Sequence, residues 1–329
     1  MAVKYSIVVP CYNEEETIDA FYDAIIPVME GVKESFELIF VNDGSKDDTA
    51  EILSKLASKD ERVKVINFSK NFGQQPAILA GFRAAFGEAV IDIDVDLQDP
   101  VEAIPEMIEK WKQGFDVVHG KRLVRKGETF LKKATSTMYT NFFEKITGLN
   151  IPKNCGDFKL FDRKVINVLI DMKERDRFLR GMTEWVGFKQ TYVEFERKKR
   201  FAGKTKYNFK KLLILATNGI VSNSNFPLTL SMKFGIFGCF ASLVTYVVFI
   251  VLACTKGLSL VAWLFPTIVL GFSLEFIFNG VSNIYTGRIY KEVQNRPLYI
   301  VRDTLNFDEN KSEETHENLE NENGKNDEN

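Results

Sequence analysis

The sequence predicts an α/β domain built on a parallel sheet, followed by an interfacial helix and a two-helix membrane hairpin. Three observations carry this. Short apolar runs alternate with amphipathic ones from Lys4 to Val95, two long apolar runs stand back to back between Phe234 and Tyr285, and charge is unevenly divided. The 329 residues carry a formal charge of −2. Asp303 to Asn329 hold ten Asp/Glu against two Lys/Arg, a net of −8, so the other 302 residues carry +6. A mildly basic body with an acidic, Asn-rich tail is not an evenly charged globule. Two histidines, His119 and His316, leave little room for a His-based zinc site or a Ser-His-Asp triad. Cys11, Cys155, Cys239 and Cys254 show no CxxC pairing, which suits a reducing compartment.

The first strand is Lys4 to Pro10, too short and too soon ended by proline for a signal peptide. Asn13 is placed to cap a helix over Glu14 to Met29, with Glu16 as its capping-box partner. Glu37 to Val41 reads as the second strand, Ala50 to Ser58 as a helix and Val63 to Phe68 as the third strand. A helix around Pro76 to Phe86 and a strand over Ala89 to Val95 follow. Strand and helix alternating at this spacing imply a parallel sheet. Ligands of such sheets sit beyond the carboxyl ends of the strands, which directs attention to the loops after Val9, Val41 and Val95.

Phe234 to Thr255 is 22 residues without a charge, and Leu258 to Tyr285 holds one carboxylate, Glu275. Each is long enough for a bilayer core, which takes roughly 20 helical residues. Two buried helices of a soluble domain are the alternative. Lys210, Lys211 and Lys233 precede the first run and Arg288, Lys291, Arg296 and Arg302 follow the second, against Lys256 at the tip. That asymmetry puts both termini and the α/β domain in the cytoplasm, at the inner or plasma membrane. Phe209, Leu212, Leu213, Ala216 and Ile220 recur at helical spacing beside Lys206, Lys210 and Lys211, as in a helix lying in the interface or one packed on the domain. The expected divisions are 1–205, 206–227, 228–290, a basic flank over 291–302, and a disordered acidic tail over 303–329.

Asp92-Ile93-Asp94-Val95-Asp96-Leu97-Gln98-Asp99-Pro100 is the sharpest site signal. Strand alternation puts Ile91, Ile93 and Val95 in the core and Asp92, Asp94 and Asp96 on the other face. Carboxylates crowded at a strand end repel one another unless a cation offsets them, and a site poor in histidine suits a hard ion, Mg²⁺ or Mn²⁺. A solvated acidic turn is the structural alternative. Val41 to Thr49 reads either as a turn with a cap, Gly44 turning and Ser45 or Asp47 capping, or as a second site loop. In Pro10 to Glu15, Tyr12 is placed to stack a base, or Asn13 merely to cap.

Taken together, Pro10-x-Tyr12-Asn13-Glu14, Asn42-Asp43-Gly44-Ser45-x-Asp47 and Asp94-x-Asp96-Leu97-Gln98-Asp99-Pro100 resemble the family 2 glycosyltransferases, in their polyprenyl-phosphate branch. Asn71 to Gln74, Gly156 to Arg163 and Arg200 to Tyr207 extend the resemblance, which covers about residues 4 to 290. It implies a GT-A type, Rossmann-like α/β domain. It also implies inverting transfer of a hexose, most readily glucose from UDP-glucose, to undecaprenyl phosphate at a lipid bilayer. GDP-mannose or a modified or N-acetylated UDP-sugar is the alternative donor, and a catalytically silent membrane scaffold the alternative class. A processive polymer synthase fits less well, with no Gln-x-x-Arg-Trp present. Nucleic acid is not an expected partner; a homo-oligomer is an open one.

The resemblance assigns Pro10, Tyr12, Glu14 and Asp43 to the nucleoside, with Asp94, Asp96 and Gln98 organising metal and diphosphate. Arg122, Lys132 or Lys133, Ser136, Arg200 and Lys206 would receive the acceptor phosphate. Asp157 looks like the family's base or sugar-orienting carboxylate. Orientation is favoured, because a phosphomonoester is mostly dianionic at neutral pH and needs no strong base. The catalytic set is then Asp96, Asp157 and Arg200.

Overall fold

The structure, a computed structural model, describes residues 3–123, 155–175, 177–196, 244, 247 and 261–307. β1 (Tyr5–Cys11), β2 (Phe36–Asn42), β3 (Val63–Phe68) and β4 (Ala89–Asp92) pair in parallel, in the spatial order β3-β2-β1-β4. Their crossovers are α1 (Ile18–Val32), α2 (Thr49–Lys59) and α3 (Gln74–Ala84). After α4 (Ile104–Lys112) the sheet grows from β4 by β6 (Cys155–Asp162), then β5 (Val117–Arg122) and β7 (Gln190–Phe195). Helices α5 (Arg163–Asp171) and α6 (Leu179–Trp185) lie between β6 and β7 in sequence.

Alternation sorts the strand residues onto two faces. Ile7, Val9, Leu38, Phe40 and Ile91 pack with Phe21 and Ile25 of α1 and Met107 of α4. Val8, Ile39, Val41, Val90 and Phe161 pack with Ile78 and Phe82 of α3, Val165 and Leu169 of α5 and Met182 of α6. The result is a three-layer α/β/α sandwich. At Gly81 a Cβ would lie 2.2 Å from Val8 Cγ1, so glycine is what lets α3 sit this close to the sheet.

Four differences from the sequence reading have physical causes. The sheet is mixed: β6 runs antiparallel to both β4 and β5. β4 stops at Asp92 rather than Val95, although Ile93 and Val95 stay buried and the Ile93 N–H still donates to the Val8 carbonyl at 3.1 Å, so the chain runs on into a buried loop. Asn13 caps no helix; it is left-handed (φ 53) and α1 begins at Ile18. The fourth concerns the C-terminus, where β8 (Val301–Leu305) adds antiparallel to β3. Tyr299 stacks on Phe68 at 4.9 Å, Asn67 donates to Asp303 Oδ1 at 2.5 Å, and Asn306 donates to the carbonyls of Ala57 and Val63 at 2.6 and 2.8 Å. Residues 299–307 therefore belong to the sheet unit, and neither a basic flank nor a tail describes them.

Helix α7 (Val261–Val293) is 33 residues long and belongs to a second unit, eight residues past the expected end at Tyr285. Among the described residues no helix meets the length and apolarity needed to cross a membrane. Apart from Val244 and Val247, the run Phe234 to Thr255 lies outside the described residues, as does the expected helix over 206–227.

Candidate active site

The sheet brings the candidate loops together because β1, β2, β3, β4 and β5 all run the same way and β6 runs against them. The carboxyl ends of five strands and the amino end of β6 thus share one edge. Residues from Cys11, Asn42, Phe68, Asp92, Arg122 and Cys155 onward or backward meet there.

On the β1–β2 side the loops are bonded to each other. Asn13 N–H donates to Ser45 Oγ at 3.0 Å, Lys46 N–H to Asn13 Oδ1 at 2.8 Å, and Glu14 N–H to Thr49 Oγ1 at 2.9 Å. Asn13 is a strut between loops, and its left-handed backbone aims its side chain across. Asp43, 3% exposed, accepts from Asn71 Nδ2 (2.8 Å), Phe72 N–H (2.6 Å) and Gly73 N–H (2.9 Å). Burial pushes its carboxyl up, against the two backbone N–H groups that hold it down. Three donors on four acceptor positions make Asp43 first an anchor of the β3–α3 loop. Gly44 (φ 63) is needed there: a Cβ would fall 2.3 Å from the Lys70 carbonyl carbon. Pro10, Tyr12 and Glu14 are half-buried around this anchor.

The same β3–α3 loop reaches the acidic run. Gln74 Nε2 donates to Asp94 Oδ1 at 2.9 Å, so Asn71 to Gln74 ties the Asp43 anchor to the acidic run. Leu97 is left-handed (φ 55), a strained state for a branched side chain, and turns the chain so that Gln98 N–H donates to Asp96 Oδ1 at 3.1 Å. Asp96 and Gln98 are both 9% exposed. Burial and the charges of Asp157, Asp99 and Asp96 push the Asp94 carboxyl up to about 7. Among the described residues no three acidic, His or Cys side chains converge as a metal cage. Two carboxylates sharing a cation with substrate phosphates is how Mg²⁺ is usually held, and the crowded negative charge at Asp94 fits such an ion.

Two arginine forks complete the edge. Arg122 grips Asp99 through Nε (3.2 Å) and Nη2 (3.1 Å). Gly156 makes room for it, since a Cβ there would lie 2.6 Å from Arg122 Nη2. Arg180 on α6 grips Asp157 through Nε (2.8 Å) and Nη2 (3.1 Å). Burial works against the Asp157 charge, but Arg180, with Lys159 and Arg122, outweighs it and holds the carboxyl below its ordinary range. A carboxylate so held is a poor proton acceptor and a good fixed hydrogen-bond acceptor. Arg180 is missing from the sequence reading, where an arginine among Arg175 and Arg177 has nothing to single it out.

Behind this edge lies a buried polar row. The register sets Asp92 of β4 opposite Lys159 of β6, and Lys159 opposite His119 of β5. All three are 2% exposed or less. His119 is kept neutral, its pKa lowered to about 3 by burial and by Lys159, against the accepting Gln190. A histidine that resists protonation only when folded costs stability as pH falls below its unfolded value near ~6.5, and the loss continues down to the folded value. Between pH 7 and pH 5 this group alone should remove about 2 kcal/mol, at roughly 1.36 kcal/mol per pK unit. Denaturant titrations at the two pH values check this. His119→Phe should abolish that share of the difference, and an unchanged pH dependence would refute the assignment.

Arg122, Asp157, Asp43, Asp94, Asp96 and Gln98 are thus gathered on one edge. Lys132, Lys133, Ser136, Arg200 and Lys206 lie outside the described residues. The model of the glycosyl transferase family 2 matches residues 6–170, from β1 through α5. YkcC of Bacillus subtilis (strain 168), named an uncharacterized glycosyltransferase, is 46% identical over 302 residues, covering 91% of this chain and 94% of its own. The uncharacterized glycosyltransferase sll0501 of Synechocystis sp. (strain ATCC 27184 / PCC 6803 / Kazusa) is 40% identical over 306 residues, 92% and 96%. A prophage-derived bactoprenol glucosyl transferase of Shigella flexneri is 40% identical over 302 residues, 91% and 98%. The loops that carry the carboxylates lie inside the matched segment, and on that match the chain belongs to the family 2 glycosyltransferases.

Proposed function

We propose that the protein transfers a hexose, glucose from UDP-glucose in the first instance, to the phosphate of undecaprenyl phosphate with inversion at the anomeric carbon. The reading is carried by the reach of the bactoprenol glucosyl transferase likeness. Its 302 aligned residues cannot fit within 1–205 and must extend into the apolar runs of the C-terminal third. On this proposal 228–290 supply the two spans and 206–227 the interfacial helix, a reading supported by the two apolar runs between Phe234 and Tyr285. The sheet unit and both termini face the cytoplasm, in keeping with the flanking Lys and Arg.

In this reaction an acceptor phosphate oxygen forms the new bond to the anomeric carbon, while the bond from that carbon to the donor diphosphate breaks and UDP leaves. A dianionic phosphate carries its own electron pair, so the protein's tasks are to bring two anions together and to fix the sugar. Arg122 uses two N–H groups on Asp99 and keeps others for an incoming anion. Asp157, pinned by Arg180, accepts from a sugar hydroxyl and orients the ring. The Asp43 anchor and the Tyr12 loop shape the nucleoside side. A divalent cation, Mg²⁺ or Mn²⁺, held by Asp94 and Asp96 with Gln98 beside them, would offset the charge of the leaving diphosphate.

Radiolabelled UDP-glucose, UDP-N-acetylglucosamine and GDP-mannose, each incubated with membranes carrying the protein and undecaprenyl phosphate, test the reading. Label should enter the lipid fraction from UDP-glucose. Entry from another donor would correct the sugar, and label in polymer or in no acceptor would overturn the transfer.

A further inference from the structure

The buried row behind the site has no part in the transfer as derived above. Lys159 is 2% exposed, and among the described residues its ammonium has one hydrogen-bond partner, Thr183 Oγ1 at 3.4 Å, a hydroxyl whose proton goes to the Leu179 carbonyl at 2.6 Å. No carboxylate among the described residues pairs with it directly. Asp92 Oδ2, Glu184 Oε1 and His119 Nδ1 around it are buried with no hydrogen-bond partner among the described residues. Lysine is among the residues least often fully buried, and an ammonium out of water without a close counter-ion costs several kcal/mol. Such a charge persists where its field is used.

The strand geometry shows on what. Asp157 and Lys159 are two apart on β6 and project to the same face, the one that α6 covers with Arg180, Thr183 and Glu184. Arg180, with 37% of its side chain exposed, reaches Asp157 from the solvent side; Lys159 stands on the buried side.

We infer that Lys159 is a positioning residue for Asp157: its ammonium, fixed between β4, β5 and α6, holds the carboxylate in its orientation from the buried side as Arg180 does from the open one. The inference rests on the role given to Asp157 in the transfer proposed above. Burial lowers the Lys159 ammonium to about 8, against Asp157 first and then Asp92 across the β4–β6 ladder and Glu184 on α6, so the lysine is still mostly charged at neutral pH.

A double-mutant cycle on the full chain in membranes, with metal and donor supplied, tests it. Lys159→Met should lower kcat about tenfold with the donor KM within about twofold, a coupling of the size seen for residues acting through one another. Asp157→Asn should cost more, and Lys159→Met in that background should cost nothing further. Multiplicative losses, or an effect confined to KM, would overturn the inference, because a scaffold residue weakens the enzyme whatever stands at 157. Should the methionine variant lose the sheet's circular-dichroism signal, Lys159→Gln, which keeps a donor for Thr183, takes its place. Unfolding of both would overturn it too. Failure of the wild type to label any polyprenyl phosphate sinks the proposed acceptor instead, and the cycle is then read on UDP release by donor hydrolysis.

Discussion

Asp96→Ala is expected to lower kcat for sugar transfer by about 10³-fold. The carboxylate is 9% exposed, set by the left-handed turn at Leu97 and the Gln98 N–H. Alanine would remove one of the two side chains to which the proposed function gives the cation. Loss of several kcal/mol of charge stabilisation on a leaving group, at 1.36 kcal/mol per tenfold, gives that order of magnitude. The variant should keep its fold, since Ile93, Val95 and Asp99 hold the loop from the buried side. Steady-state transfer across a Mn²⁺ or Mg²⁺ titration is the measurement. Undiminished product formation would remove Asp96 from the site altogether.

Arg180→Ala should reduce both activity and stability. It leaves Asp157, whose side chain is 16% exposed, without its two-point partner. A buried pair broken on one side costs roughly 3–5 kcal/mol, and the 37% exposure of Arg180 discounts this to about 1–3 kcal/mol. The lowered carboxyl of Asp157 contributes stability that is present above the unfolded carboxylate pKa near ~3.9 and lost as pH falls through the folded value. Without Arg180 burial is opposed only by Lys159 and Arg122, so the carboxyl rises and that contribution shrinks. Transfer should fall about 10²-fold, in the range of a lost preorganised interaction. Arg180→Lys restores the charge but not the fork, so it should recover more stability than rate. Equal recovery of both would show that Asp157 needs only a nearby cation.

How much could be read in advance varied with the range of the interaction. Val63 to Phe68 was legible in full because apolar residues end abruptly at Arg62 and Ser69. The strand ending at Asp92 read three residues too long, because Ile93 and Val95 stay buried in the apolar core after strand pairing has ended. β8 was hidden: Val-Arg-Asp-Thr-Leu has the polarity of an edge strand, and the Asn67–Asp303 bond that seats it joins residues 236 positions apart. Asn13 carries the chemistry of a cap, and only the placement of Ser45 and Lys46 makes it a strut. Asp157 stood out by its motif, whereas Arg180 and Lys159 are ordinary basic residues until register and helix packing aim them.

The sequence by itself determined the α/β alternation, the loops that hold the carboxylates and the family, because hydrophobic period, turn chemistry and motif spacing are local properties. Tertiary structure alone decided which charges meet. Arg122 finds Asp99 and Arg180 finds Asp157, each 23 residues away, while Lys159 lies opposite Asp92 across a ladder. Strand register and the angle of α6 fix those pairs. Coulomb energy falls with distance and rises with burial, so charges that look alike in sequence differ in effect once the sheet has placed them.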